Sequence, residues 1–287
     1  MSRRIVRREA PAKLNVSLRV VRAREDGYHD IESLVVPLSL ADVVTVKKAD
    51  RLHVDVRGVE PLAGDVPAGG LNLALIAALA LADAREHVGG AEVVIDKRIP
   101  IAGGLGGGSA DAAATIQALD ELWGLGMTDA ELAEIGARIG SDVPATLAGR
   151  PAVIRGRGET VEPFEMPPMW WVLVPFDFGV RSPDAYRWWD ESGATPGDDL
   201  EPVLRAAAEG DPDRLGPLLF NDLQHVVCAR HPPIADAIGA LLQTGALGAV
   251  MSGSGSAVVG LARDQRHAEE LAAAVPGAIV VSGPPAG

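Results

Sequence analysis

The chain has a single cysteine, Cys228, so no internal disulfide framework can form, and this fits a reducing cytoplasm. Positive charge is also in short supply. Asp and Glu outnumber Lys and Arg to give a net charge of −13, which disfavours a broad grip on a nucleic-acid backbone. A nucleotide remains an admissible ligand if a few cations are focused in one place. No apolar run reaches the roughly 18 residues that a membrane span requires. The basic start, Met1 to Glu9, leads into no apolar signal core. The four arginines at 3, 4, 7 and 8 read as the solvated face of an edge strand. What remains is 47% hydrophobic and 23% charged over 287 residues, a soluble globular composition with room for one large domain or two ordinary ones.

The most informative stretch is Pro100-Ile101-Ala102-Gly103-Gly104-Leu105-Gly106-Gly107-Gly108-Ser109. It follows a strand-like segment, Ala91 to Lys97, and runs into an Ala-rich helical segment, 109–123. Glycines let a backbone approach an anion closely, and the amides and dipole at a helix N-terminus favour negative charge. The order strand, glycines, helix therefore reads as a phosphate loop and not as a flexible surface run. Two common phosphate loops are excluded. No Gly-Lys pair follows the glycines, as a P-loop needs. The dinucleotide fingerprint G-x-G-x-x-G meets Ser109 or Asp111 where its third glycine belongs.

Around this loop the chain alternates strands and helices. Leu14 to Leu18 alternates apolar and polar residues, placing Lys13 and Asn15 on one side of a strand. Lys13 there is either solvated or part of a site. Strands are expected over 31–39, 42–48 and 52–57, a turn-rich stretch over 58–70 and helices over 72–87 and 109–123. Thr128-Asp129-Ala130-Glu131 is a capping box opening a helix that stops at Gly140. Gly140-Ser141-Asp142-Val143-Pro144 then starts another helix, where Ser141 or Asp142 could be simply an N-cap. In Asp26-Gly27-Tyr28-His29 the aromatic pair either caps a hairpin or stacks on a nucleobase. A composition shift near residue 160 marks a domain boundary, giving domains 1–160 and 161–287. Beyond it, helices are expected over 200–208, 212–229, 232–243 and 264–274, and strands over 170–175 and 277–281. Met251-Ser252-Gly253-Ser254-Gly255-Ser256 is a second glycine loop between strand-like runs, and a plain hairpin turn would look the same.

Five stretches in fixed order carry a resemblance: Pro-Ala-Lys-Leu-Asn, Asp-Gly-Tyr-His, the central glycine loop continuing into Ser-Ala-Asp-Ala-Ala, Gly-Ser-Asp-Val-Pro, and Met-Ser-Gly-Ser-Gly. Together they resemble the galactokinase/homoserine kinase/mevalonate kinase/phosphomevalonate kinase (GHMP) superfamily, over about residues 5–282. Within it the first two stretches are similar to the kinases of 4-diphosphocytidyl-2-C-methyl-D-erythritol, which serve the non-mevalonate route to isoprenoids. The resemblance implies an α+β fold of two domains, the first like domain 2 of ribosomal protein S5 and the second ferredoxin-like, with the active site in the cleft between them. It implies ATP, with bound Mg2+, as phosphoryl donor and the 2-hydroxyl of the cytidine diphosphate methylerythritol as acceptor. By the same resemblance Lys13 and Asp142 are catalytic, Asp142 accepting the hydroxyl proton and Lys13, if nearby, keeping that carboxylate anionic. Asn72, Lys97, Pro100, Gly103, Gly104, Leu105, Gly106, Gly107, Gly108 and Ser109 fall on ATP-site positions. Asn15, Tyr28, His29, Ser182, Pro183, Tyr186, Ser252, Gly253, Ser254 and Gly255 fall on the substrate side. Tyr186 stands where the family commonly has Phe, and Gln224 follows Asn221-Asp222-Leu223 where Glu is usual. The implied partners are small molecules, with no nucleic acid and no membrane, and the chain is a monomer or homodimer. Another kinase of the superfamily, of homoserine or mevalonate type, is the alternative.

Overall fold

The computed structural model describes residues 4–58, 72–85, 89–101 and 103–285. Arg3, the turn-rich stretch 59–70 and the last positions of the helix expected to reach 87 lie outside the described residues. The chain forms two compact units, neither of them continuous in sequence. The first comprises Met1–Ala12, Leu40–Ile101 and Gly106–Gly149, and the second Lys13–Ser39, Ala102–Leu105 and Arg150–Gly287. The sequence boundary near residue 160 falls inside the second unit, because two long strands, β1 (Ile5–Ala23) and β2 (His29–Ala49), each contribute to both.

In the first unit, β3 (His53–Arg57) pairs parallel with β4 (Gly90–Asp96), and β4 pairs antiparallel with Val43–Ala49 of β2. The start of β1 lies next to β2 in the order β3-β4-β2-β1. Arg4 just before this strand and Arg8 on it are exposed and bridge to Glu121 at 3.2 and 2.6 Å, surface pairs of the kind that add little stability. Helix α1 (Leu73–Ala84) packs on α2 (Gly107–Trp123). Both bury alanines, Ala74, Ala77 and Ala78 on one and Ala110, Ala112, Ala113 and Ala114 on the other, and small side chains let the backbones approach closely. Helix α3 (Asp129–Ile139) opens on the capping box, with Thr128 Oγ1 accepting from the Glu131 amide and Glu131 accepting from the Thr128 amide. Its C-cap is Gly140, and α4 (Val143–Ala148) follows with Pro144 in its first turn.

The stretches 31–39 and 42–48 form one strand where two were expected. Ile31–Val35 pairs with β5 (Ala152–Gly156) in the second unit, and Val43–Ala49 with β4 in the first. Pro37, which cannot donate a ladder bond, lies between these two paired stretches, so the strand continues without loss.

In the second unit, β5 turns back into β6 (Thr160–Pro163), and β7 (Met169–Val174) leads to α5 (Ser182–Ser192), α6 (Glu201–Glu209) and α7 (Pro212–Leu215). The single helix expected over 212–229 is divided. After α7 come a 3-10 turn, Gly216–Leu218, a two-residue strand β8 (Phe220–Asn221) and α8 (Gln224–Arg230). A Cβ on Gly216 would lie 2.2 Å from the Leu247 carbonyl oxygen, so this close backbone approach, followed by Pro217, ends the helix. Strand β8 pairs parallel with Ser17 and Leu18 of β1. Helix α9 (Pro232–Gln243), β9 (Gly248–Met251), β10 (Val258–Ala262), α10 (Gln265–Ala274) and β11 (Ile279–Gly283) complete the chain. The antiparallel sheet order β11-β7-β10-β9, with α9 and α10 packed on it, is the βαββαβ ferredoxin-like arrangement, with α5 to α8 inserted after its first strand. Leu173 and Trp171 on β7 are fully buried, as its apolar run anticipates.

Candidate active site

In the second unit, Lys13 and Asn15 share one side of β1, as their spacing requires, and Lys13 Nζ donates to Asn15 Oδ1 at 2.5 Å. Asn15 is almost wholly buried, and its Nδ2 donates to Ser33 Oγ at 2.8 Å, so its oxygen is turned toward the lysine by the rest of the network. The first part of the central loop is threaded alongside. The Lys13 amide donates to Leu105 O at 2.9 Å, the Ala257 amide to Gly103 O at 3.0 Å, and Ser252 Oγ to Gly104 O at 3.2 Å. Gly104 has φ +74°, and a Cβ there would lie 2.1 Å from the Ser252 carbonyl oxygen, so only glycine fits.

The second glycine loop closes the hairpin of β9 and β10, and it also packs on both Lys13 and the first loop. Its shape is held by residues to which the sequence assigned no role. Asn221 Nδ2 donates to Met251 O and Gly253 O, each at 2.7 Å, and Asn221 Oδ1 accepts from the Leu223 amide. Gln224 Oε1 accepts from the Met251 amide at 2.9 Å, a bond that a glutamate carboxylate would also make. Ser254 Oγ lies 3.0 Å from Ser182 Oγ, at the start of α5 beside Pro183, and Gly255 has φ +87° with Met251 packed against it.

The turn that carries Tyr28 and His29 is also in this unit. Arg24 bonds to Asp26 and Asp30, and these bonds hold both carboxyls below the usual range. Tyr28 is half exposed, and the Arg157 guanidinium lies 4.9 Å over its ring. His29 is buried, stacks on Tyr186 at 4.8 Å and meets Asp190 Oδ1 through Nε2 at 2.8 Å.

In the first unit, α2 starts two residues earlier than the sequence pattern suggested, at Gly107, after Gly106 turns the chain with φ +68°. The amides of Gly107, Gly108 and Ser109 thus belong to the first helical turn, where intrahelical acceptors are missing. Asn72 is the N-cap of α1, its Oδ1 accepting from the Ala74 amide at 2.9 Å. Pro100 precedes the loop and is buried. Lys97 lies beneath the helix start: a Cβ on Gly107 would be 3.4 Å from Lys97 Nζ. Its ammonium bonds to Asp42 Oδ2 and to Asp111 Oδ2, the latter at 2.7 Å. Asp42 Oδ1 also accepts from the Ile99 amide at 2.8 Å, so this buried carboxylate holds the chain before the loop, and Lys97 ties that stretch to the helix after it. Burial pushes the Asp111 carboxyl up to about 7, against the attraction of Lys97 and with the repulsion of Asp42. Burial alone would lower the Lys97 ammonium, but the two carboxylates outweigh it and raise it. Asp111 Oδ1 is buried with no hydrogen-bond partner among the described residues.

Asp142 occupies the N-cap position of α4, yet its side chain makes no capping bond. Its residue type at this position is therefore not explained by capping. Ser109 Oγ lies 4.0 Å from where a Cβ of Gly140 would be, which brings the start of α2 close to the stretch carrying Asp142. Sequence reasoning passed over Asp42, Asn221 and Asp190 because each acts on a residue remote in the chain. The one available signal was a polar residue inside an otherwise apolar or aromatic segment.

Comparison with known proteins shows what the whole chain is similar to. The family of GHMP kinases N terminal domains matches residues 72–150, and the family of GHMP kinases C terminal domains matches residues 203–280. A 4-diphosphocytidyl-2-C-methyl-D-erythritol kinase of Pseudarthrobacter chlorophenolicus is 40% identical, with 94% of this chain and 88% of the relative covered. One of the same name from Kineococcus radiotolerans is 42% identical over 92% of this chain and 83% of its own. A crystal structure of 4-(cytidine 5'-diphospho)-2C-methyl-D-erythritol kinase superposes with a TM-score of 0.83 at 34% identity, covering 98% of this chain and 100% of the other. Homoserine kinase from Cytophaga hutchinsonii, at 19% identity, shares the fold with a TM-score of 0.72 over 97% and 94% of the two chains.

Proposed function

The chain belongs to the 4-diphosphocytidyl-2-C-methyl-D-erythritol kinase family of the GHMP kinases, and we propose that it transfers the γ-phosphoryl group of ATP to the 2-hydroxyl of that cytidine diphosphate alcohol. It is an ATP-dependent phosphotransferase of the non-mevalonate isoprenoid route. The observation that carries the reading is the likeness to this family over nearly the whole chain, at about twice the identity found with the homoserine kinase. Placement in the cytoplasm is part of the proposal, and so are the individual residue roles.

Phosphoryl transfer passes through a loose transition state, so positioning and charge neutralisation matter more than strong base chemistry. Asp142 receives the acceptor hydroxyl proton, a contribution of roughly 10²–10⁴ in rate. Its carboxylate is not used to cap its own helix, which supports that role. Lys13 stabilises negative charge on the transferring group. Its ammonium is aimed by Asn15 and by the packing of Gly253, which supports the assignment. The amides opening α2 cradle the phosphates, supplying what a P-loop lysine supplies elsewhere. Lys97 serves that cradle from below, through Asp42 and Asp111. Tyr28, His29 and Tyr186 hold the cytosine. Mg2+ bound with the nucleotide would supply neutralisation of phosphate charge. Among the described residues no group of three or more His, Cys, Asp or Glu side chains could hold a metal ion, and such an ion would need few protein ligands beside the phosphates, Ser109 being a candidate by position.

The test is ADP release with the cytidine diphosphate alcohol as acceptor. It should be acceptor-dependent and far weaker with the methylerythritol phosphate that lacks cytidine, with homoserine or with mevalonate. Equal or better turnover of either of the last two would replace this reading by the other.

A further inference from the structure

One face of α5 converges on a single imidazole. Tyr186, Trp189 and Asp190 stand at positions i, i+3 and i+4 of the helix and all reach His29. Tyr186 covers one face of the ring at 4.8 Å with 23° between the planes, and Trp189 meets it edge-on at 6.0 Å and 90°. The ring is therefore held in one plane, and Asp190 Oδ1 lies 2.8 Å from Nε2.

We propose that Asp190 is a specificity-determining positioning residue: it fixes His29 as the tautomer protonated at Nε2, leaving the Nδ1 lone pair to accept from the exocyclic amine of cytosine and to reject uracil. The inference rests on the placing of His29 in the cytosine pocket made above. An ionised carboxylate can only accept, so the nitrogen facing it must carry the proton. In a neutral imidazole the other nitrogen is then an acceptor. Nδ1 has no hydrogen-bond partner among the described residues, and it is not among the fully buried unpaired atoms. Cytosine offers an amino donor at C4, whereas uracil offers a carbonyl oxygen there. Two lone pairs would face each other in the uracil case, and a polar group left unpaired in a pocket is what makes such discrimination strong. Asp190 touches no reacting atom, so it acts only through the ring.

The experiment combines tautomer measurement with substrate choice. In the wild-type protein at mildly alkaline pH, the long-range nitrogen NMR pattern of His29 should be that of the Nε2-protonated form. In Asp190→Asn, whose amide can donate as well as accept, the pattern should become mixed or reversed. The kcat/KM preference for the cytidine over the uridine form of the substrate should fall about tenfold, the scale of one ordinary hydrogen bond. The fall should come through KM for the cytidine form, with kcat retained. His29→Ala should raise that KM as well. If it does not, both the pocket assignment and this inference fail. If it does, while Asp190→Asn keeps the wild-type tautomer or the wild-type preference, only the inference fails.

Discussion

Gly253 lies against the ammonium of Lys13: a Cβ on this glycine would be 3.2 Å from Lys13 Nζ and 3.2 Å from Asn15 Oδ1. The glycine has φ +56°, and Asn221 holds its carbonyl in place. Gly253→Ala therefore meets two penalties, a backbone cost of about 1–2 kcal/mol and displacement of the lysine head group. Steady-state kinetics and a thermal melt together should show a modest loss of stability and a much larger loss of kcat. A variant that loses stability but keeps wild-type kcat would mean that the lysine position does not depend on this contact.

Asp142→Asn should lower kcat by roughly 10²–10⁴ while leaving affinity for a cytidine nucleotide nearly intact. The variant keeps the size of the side chain, and no capping bond is lost because none is made. Single-turnover kinetics with titration calorimetry would check it. Wild-type turnover would remove the base assignment.

Tyr28 is exposed at its turn, with the Arg157 guanidinium over its ring among the described residues, so truncating it should cost the fold little. Its proposed work is stacking on a base. Tyr28→Ala should weaken binding of the cytidine substrate by about 1–3 kcal/mol with little change in melting temperature. An unaltered KM would contradict the pocket.

The buried Asp111 makes a prediction about pH. Its folded pKa, about 7, lies above the roughly 3.9 of an unfolded aspartate. A raised folded pKa means that the contribution to stability is complete below the unfolded value and is lost as pH rises through the folded one. Between about pH 4 and pH 7, wild-type stability should therefore decline relative to Asp111→Asn, whose amide does not titrate. Lys97 is raised and stays cationic across that window. The melting temperature of the wild type minus that of the variant should fall steadily as the pH rises through this window. Parallel curves would show that Asp111 does not titrate there.

Much of this could be read along the chain. The capping box at Thr128 and Glu131, the stop at Gly140 and the strand and helix flanking the central loop all depend on near neighbours, and each stands where local rules put it. The helix expected over 212–229 breaks at Gly216-Pro217, where the local sign of the proline is joined by a remote one, the backbone at Leu247 thirty-one positions on. Asp42 had only a remote sign. Its strand context explains burial, but its partner Lys97 is 55 positions away.

The sequence by itself determined the class of chemistry. Glycines running into a helix can hold phosphate whatever surrounds them, because that ability resides in backbone amides and in a missing Cβ. Only the tertiary structure decided how individual side chains are used: that Lys97 is paired with Asp42 and Asp111, that Gly253 packs against the Lys13 ammonium, and that α5 clamps His29. Those outcomes depend on distances of a few ångströms between residues far apart in the chain, and no local pattern encodes them.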